Sequence, residues 1–230
     1  MQECTIVCCG VTLRYYTHRE NPRWLIHSGT HGNERGVIAP VREFLRAHAK
    51  DMPGFVFVPE VSPSAVTKGS RWNAAGNDVN RMFADTSPDA EVRANLALMH
   101  TGTFDLFLSF HEDTDRMWEW YIYDTDDTPK DAGTRNLFAA AADIGVAPYS
   151  GSDGTADGAV TIRDGYFSER WEGGGFAREA LVGQATIYAV RSGIAKRAIT
   201  LEIPGLAPQD VKRKLVAIIF QHFANAKRGR

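Results

Sequence analysis

Short apolar runs alternate along this chain with segments whose apolar residues recur at helical spacing, and that alternation restricts it to layered α/β architectures. Trp24-Leu25-Ile26-His27-Ser28 is an apolar run stopped by Gly29 and reads as a buried strand. Residues 33–49 follow with Val37, Ile38, Val41, Phe44 and Leu45 on one helical face. Residues 55–58, entered from Pro53-Gly54, form the next strand, and a helix with Val92, Leu96 and Met99 starts after Ser87-Pro88. Further strands are expected at 104–110, ending at His111, at the alternating aromatics of 118–123, and at 198–201, ending at Glu202. Residues 136–142 read as a helix, and a last one from Pro208 buries Val211, Leu215, Ile218 and Ile219. Segments 62–80 and 150–175, rich in Gly, Ser, Asn or Asp, read as loops. With no internal repeat or low-complexity linker, one domain spanning residues 1–230 is expected.

Composition removes several function classes. A formal net charge of -2 gives no basic field for nucleic acid or an anionic membrane, and Lys227-Arg228-Gly229-Arg230 reads as a solvated tail. Residues 1–10 lack a secretory pattern, and no apolar run approaches the ~18 residues of a membrane span, so a cytoplasmic protein is expected. Cys4, Cys8 and Cys9, an odd number in one segment, make no disulfide framework and read as reduced packing residues.

The chemistry collects in a pattern of positions. His31, His111 and Glu202 each fall just past the end of an apolar run, the edge where open α/β sheets bind ligands. In His31-Gly32-Asn33-Glu34, a His and a Glu three residues apart straddle a strand-to-helix turn and can reach one cation, with Gly32 allowing a tight turn. Two histidines and a carboxylate form a set that leaves a fourth zinc position open to water. Alone, such a His is more often a cap or a core residue. A second cluster runs from Arg71 to Arg81 and holds asparagines and Asp78. Arginine there suits a carboxylate or an oxyanion, and an aspartate can hold the far nitrogen of a ligating histidine. Taken alone, the same loop also reads as a polar surface turn.

In order, His31-x-x-Glu34, Arg71, Asp78-x-Asn80-Arg81, His111 after a strand, and Glu202 before Pro204 resemble the zinc carboxypeptidase superfamily. Small bacterial murein-peptide amidases are similar in the Gly-Thr-His-Gly-x-Glu opening and the ten-residue step from Arg71 to Arg81; aspartoacylases and succinylglutamate desuccinylases share the catalytic core. The resemblance covers residues 26–205. It implies a mixed, largely parallel central sheet flanked by helices. It also implies one Zn2+ held by His31, Glu34 and His111, Glu202 as general base and Arg71 on the scissile carbonyl. Asp78 would orient His31, and Asn80 with Arg81 would bind the substrate carboxylate.

Some residues depart from that pattern. Ser62-Pro63-Ser64-Ala65 stands where digestive carboxypeptidases often have Asn-Pro-Asp-Gly and looks nearer to aspartoacylases. The segment after Glu202 reads as one helix rather than the β-rich domain that acylases generally carry, which favours the peptidase-like core. Tyr166 and Tyr188 are the candidates for a lid tyrosine. Glu112, Asp113 and Asp115 follow His111 and read either as a solvated loop or as a site for a second cation or an amine-bearing substrate. The expected function is a metallocarboxypeptidase or amidase acting on a small peptide; the alternatives are an N-acyl amino acid deacylase and a non-catalytic binding protein of the same fold.

Overall fold

The structure is a computed structural model that describes residues 1–126, 132–155, 158–169 and 183–225. Eight strands of the main sheet are β1 (Gln2–Cys8), β2 (Val11–His18), β3 (Trp24–His27), β4 (Phe55–Val58), β5 (Phe104–Asp113), β6 (Glu119–Asp124), β10 (Tyr166–Ser168) and β11 (Ala195–Pro204). They run in the order β1-β2-β4-β3-β5-β11-β6-β10, and the two-residue β7 (Ala147–Pro148) joins β6. The central four, β4-β3-β5-β11, are parallel, whereas the β1–β2 hairpin and β6 enter antiparallel. A separate hairpin pairs β8 (Gly151–Thr155) with β9 (Gly158–Ile162) inside the segment expected to be loop. The later part of that segment and the basic tail lie outside the described residues.

Because side chains alternate across a strand, both faces of the sheet must be covered. Trp24, Ile26, Phe55, Phe57, Leu108, Phe110, Ile199 and Leu201 pack against α1 (Ile38–His48), α4 (Ala132–Ala142) and α6 (Gln209–Asn225). Leu25, Val56, Val58, Phe107 and Ala198 pack on the other face against α3 (Ala90–Met99) and α5 (Ala185–Arg191). Among the described residues no helix is long and apolar enough to cross a membrane.

Several boundaries differ from the sequence reading. The segment 33–49 is not one helix: a 3-10 turn, Gly32–Val37, precedes α1, because Glu34 leaves helical geometry at φ -104°, ψ 25°. Loop 62–80 contains a short helix, α2 (Pro63–Lys68), with proline in its first turn. The α3 cap is Asp89, whose Oδ1 accepts the backbone N–H of Glu91 and Val92 at 2.9 and 3.1 Å. Strands β5 and β11 continue past the apolar runs, so His111 and Glu202 lie inside strands rather than beyond them. Cys9 is exposed in the two-residue β1–β2 turn with Gly10, both at positive φ (53° and 79°), and does not pack.

Candidate metal centre

Register brings the strand residues of the site together. Glu202 on β11 pairs with His111 on β5 and, across its other edge, with Tyr121 on β6; two residues earlier Thr200 pairs with Ser109 and Tyr123. Alternation sends all of these to the face opposite Phe110, Leu201 and Ile122, so His111, Glu202 and Tyr121 form a row across three strands. The 3-10 turn after β3 adds His31 and Glu34. His31 is the extended residue that caps this turn, and Glu34 leaves helical geometry inside it, an arrangement that sets the two side chains in contact. Gly32 is required by close approach, not by an unusual φ: a Cβ there would sit 1.8 Å from the carbonyl oxygen of Ala65 on α2.

The Glu34 carboxylate lies between two imidazoles. Its Oε1 is 2.6 Å from His31 Nδ1 and its Oε2 is 2.8 Å from His111 Nδ1. Ligand atoms of the three residues all lie within 4.8 Å of one another, and all three side chains are buried. Burial works against charge on His31, but Glu34 and Asp78 overcome it and raise its pKa. Burial likewise opposes charge on Glu34, yet His31 and His111 hold it well below the ordinary carboxylate range. At His111 burial wins and lowers the pKa, which keeps its nitrogen lone pair available. A charged carboxylate and two imidazoles whose ligand atoms lie this close together form a buried set that could hold a metal ion.

Asp78 braces the centre from the 71–81 loop. Its Oδ1 lies 3.0 Å from His31 Nε2, leaving Nδ1 to face Glu34, and its Oδ2 accepts from Arg71 Nε at 3.0 Å and Nη2 at 2.8 Å. Burial would raise the Asp78 pKa, but His31, Arg71 and Arg81 hold it well below the usual range. Arg71 also leans toward Glu34, with Nη1 at 3.6 Å from Oε1. The loop is fastened by Asn73 and Asn77, which both donate to Asp89 Oδ2 at 2.7 and 2.9 Å; these asparagines therefore serve the fold. Asn80 accepts the N–H of Ala185 at 3.1 Å through its side chain, and both Asn80 and Arg81 line the cleft.

That cleft encloses about 350 Å³ beside the metal centre. Arg71, Asn80 and Arg81 line it together with Asp113, Asp153 and Glu202. Burial raises the Glu202 pKa well above the carboxylate norm, and Glu34, Asp113 and Asp153 add to the effect while Arg71 opposes it. Tyr121 and Tyr123, unassigned in the sequence reading, line the cleft and donate to Asp113 and Asp153, the former at 3.0 Å. The lid candidates are elsewhere: Tyr166 donates to Asp124 at 3.4 Å, and Tyr188 bonds Asp85 and His100. The acidic run is a solvated turn only at its end: Glu112 is buried against Lys212 and Asp113 closes β5, whereas Asp115 is exposed in a turn, and all three line the cleft.

Solved structures share this fold. A candidate metallopeptidase from Shewanella amazonensis SB2B superposes with a TM-score of 0.74 at 21% identity, covering 97% of this chain and 86% of its own. Murein-tripeptide amidase MpaA from Escherichia coli O157 gives 0.56 at 18% identity, with 93% and 87% covered. A succinylglutamate desuccinylase/aspartoacylase from Rhodobacter sphaeroides gives 0.54 at 15%, with 94% and 59% covered. No curated protein matches the chain in sequence. The family model of the succinylglutamate desuccinylase/aspartoacylase catalytic domain matches residues 20–214, and the chain belongs to that family.

Proposed function

We propose that the chain is a zinc-dependent hydrolase that cleaves an amide bond next to a free carboxylate in a small peptide. The observation that carries this reading is the in-register pair of His111 and Glu202 beside the His31–Glu34 turn, facing a cleft that also holds Arg71 and Arg81. His31, Glu34 and His111 would hold the ion, which when bound supplies Lewis acidity and a water of lowered pKa. Glu202, kept basic by burial and by Glu34, Asp113 and Asp153, takes a proton from the attacking water and returns it to the leaving nitrogen. Arg71, fixed by Asp78 and about one-third exposed, meets the negative charge that develops on the carbonyl oxygen. Arg81 with Asn80 binds the substrate carboxylate, a charge present throughout.

Deacylation of an N-acyl amino acid is the second reading, and the family match favours it. The cleft favours the first. Asp113, Asp115 and Asp153 line it, and the one arginine among them, Arg116, is drawn to Asp113, Glu119 and the Tyr149 ring. A second carboxylate on the acyl side, as in a succinyl group, would meet like charge. A role limited to binding leaves Glu202 without a task. Release of free amino acid from a peptide panel, compared with acyl-amino acids and repeated with a chelator, tests all three: peptide turnover that the chelator abolishes is expected, and turnover of acyl-amino acids alone contradicts it.

A further inference from the structure

At the wall of the cleft, where Glu112 lines it, lies an ion pair with no part in the chemistry above. Glu112 and Lys212 are 5% and 3% exposed. Alternation turns Glu112 to the α6 side of β5, away from His111, and Lys212 meets it from α6. Lys212 Nζ donates to Glu112 Oε1 and, at 2.7 Å, to the carbonyl oxygen of Gly205. The other carboxylate oxygen accepts the N–H of Gly36 at 2.6 Å. Each anchor belongs to a segment that carries a site residue. Gly36 follows Glu34 by two residues, Glu112 adjoins His111, and Gly205 follows Glu202 by three. The Glu112 N–H also points at Glu34 Oε2, at 3.4 Å. The seat is tight: a Cβ at Gly36 would lie 2.6 Å from Glu112 Oε1 and 2.7 Å from Lys212 Nζ.

A buried ion pair is a poor source of stability, because desolvation offsets most of the attraction and apolar replacements are often as stable or more so. What it adds is direction, since each bond fixes one segment against the others. We infer that Glu112 and Lys212 are positioning residues that hold Glu34, His111 and Glu202 in mutual register for metal binding, an inference that rests on the metal-hydrolase reading.

The test compares three variants with wild type. Glu112→Leu with Lys212→Met removes both charges together, Gly36→Ala keeps the charges but displaces them, and Arg213→Ala alters an exposed α6 pair with Glu43 as a control. Each protein is measured metal-free for its thermal midpoint and for histidine ring 15N signals, which report the Nδ1 contacts of His31 and His111 with Glu34. Zinc affinity is then measured by competition with a chromophoric chelator. The double variant is expected to keep its midpoint, shift the His31 and His111 ring signals, and bind zinc on the order of 10- to 100-fold more weakly. Gly36→Ala should give the same ring shifts and weaker zinc binding, so the test stands even if the double variant fails to fold; the control should change nothing. Wild-type ring signals and affinity in either folded site variant overturn the inference, as does an affinity loss that merely tracks a lowered midpoint. If wild type itself takes up no zinc, the hydrolase reading fails, and the ring signals alone decide whether the pair positions Glu34.

Discussion

His27 offers a quantitative test of the packing behind the metal centre. It ends β3 with no exposed surface, neither ring nitrogen has a hydrogen-bond partner among the described residues, and it meets the Phe107 ring edge-on at 4.7 Å. Burial, followed by the nearby His111, lowers its pKa from 6.5 to about 3. A depressed histidine pKa means that the folded chain binds fewer protons than the unfolded chain between those values. The associated stability is therefore fully present above pH 6.5 and is lost as the pH falls towards 3. At 1.36 kcal/mol per unit, acidification from pH 7.5 to 5 removes about 2 kcal/mol, and the whole effect is roughly 5 kcal/mol. His27→Met conserves volume approximately, removes the titration and leaves no unpaired nitrogen. Urea unfolding of metal-free wild type and variant at pH 5, 6 and 7.5, followed by tryptophan fluorescence, isolates the contribution in the difference curve. Wild type should lose about 2 kcal/mol more than His27→Met over this range. Parallel curves would refute a neutral, unpartnered His27.

Glu202→Gln should lower kcat by on the order of 10²- to 10⁴-fold while bound zinc stays unchanged, checked by turnover and metal analysis on one preparation. Arg71→Ala should lower kcat by about 10²-fold or more, whereas Arg81→Ala should chiefly raise KM; an amidated substrate handled as well as its free acid would contradict a carboxylate clamp at Arg81. Asp78→Asn should weaken zinc binding roughly 10- to 100-fold, because it loosens both His31 and Arg71, and chelator competition reads the change directly.

Local pattern and tertiary pairing contributed differently to what could be read from the chain. Strand β4 was visible at its observed limits and β3 to within one residue, Ser28 falling outside it, because each is buried on both faces and reads as an apolar run. The ends of β5 and β11 were hidden because His111, Glu112 and Glu202 are polar residues held in the sheet by the cleft and by Lys212, 100 residues away in sequence from Glu112. The sequence pattern already contained the residues that meet at the centre. Tyr121, Tyr123 and Asp153 were not visible as cleft residues, since their placement depends on β6 entering antiparallel beside β11. The alternating aromatics of β6 were a usable signal, because once β6 is set against β11 their parity decides which of them face Glu202. The tyrosines at 166 and 188 show the opposite case, attractive in type but committed by the fold to Asp124 and Asp85.

Zinc stoichiometry tests the central claim most directly. Protein purified without added chelator, dialysed against trace zinc and analysed by inductively coupled plasma mass spectrometry should hold about one zinc per chain. The His31→Ala, His111→Ala double variant, confirmed as folded by circular dichroism, should hold essentially none. Equal zinc in the two proteins, or none in wild type, would contradict a metal centre built from His31, Glu34 and His111.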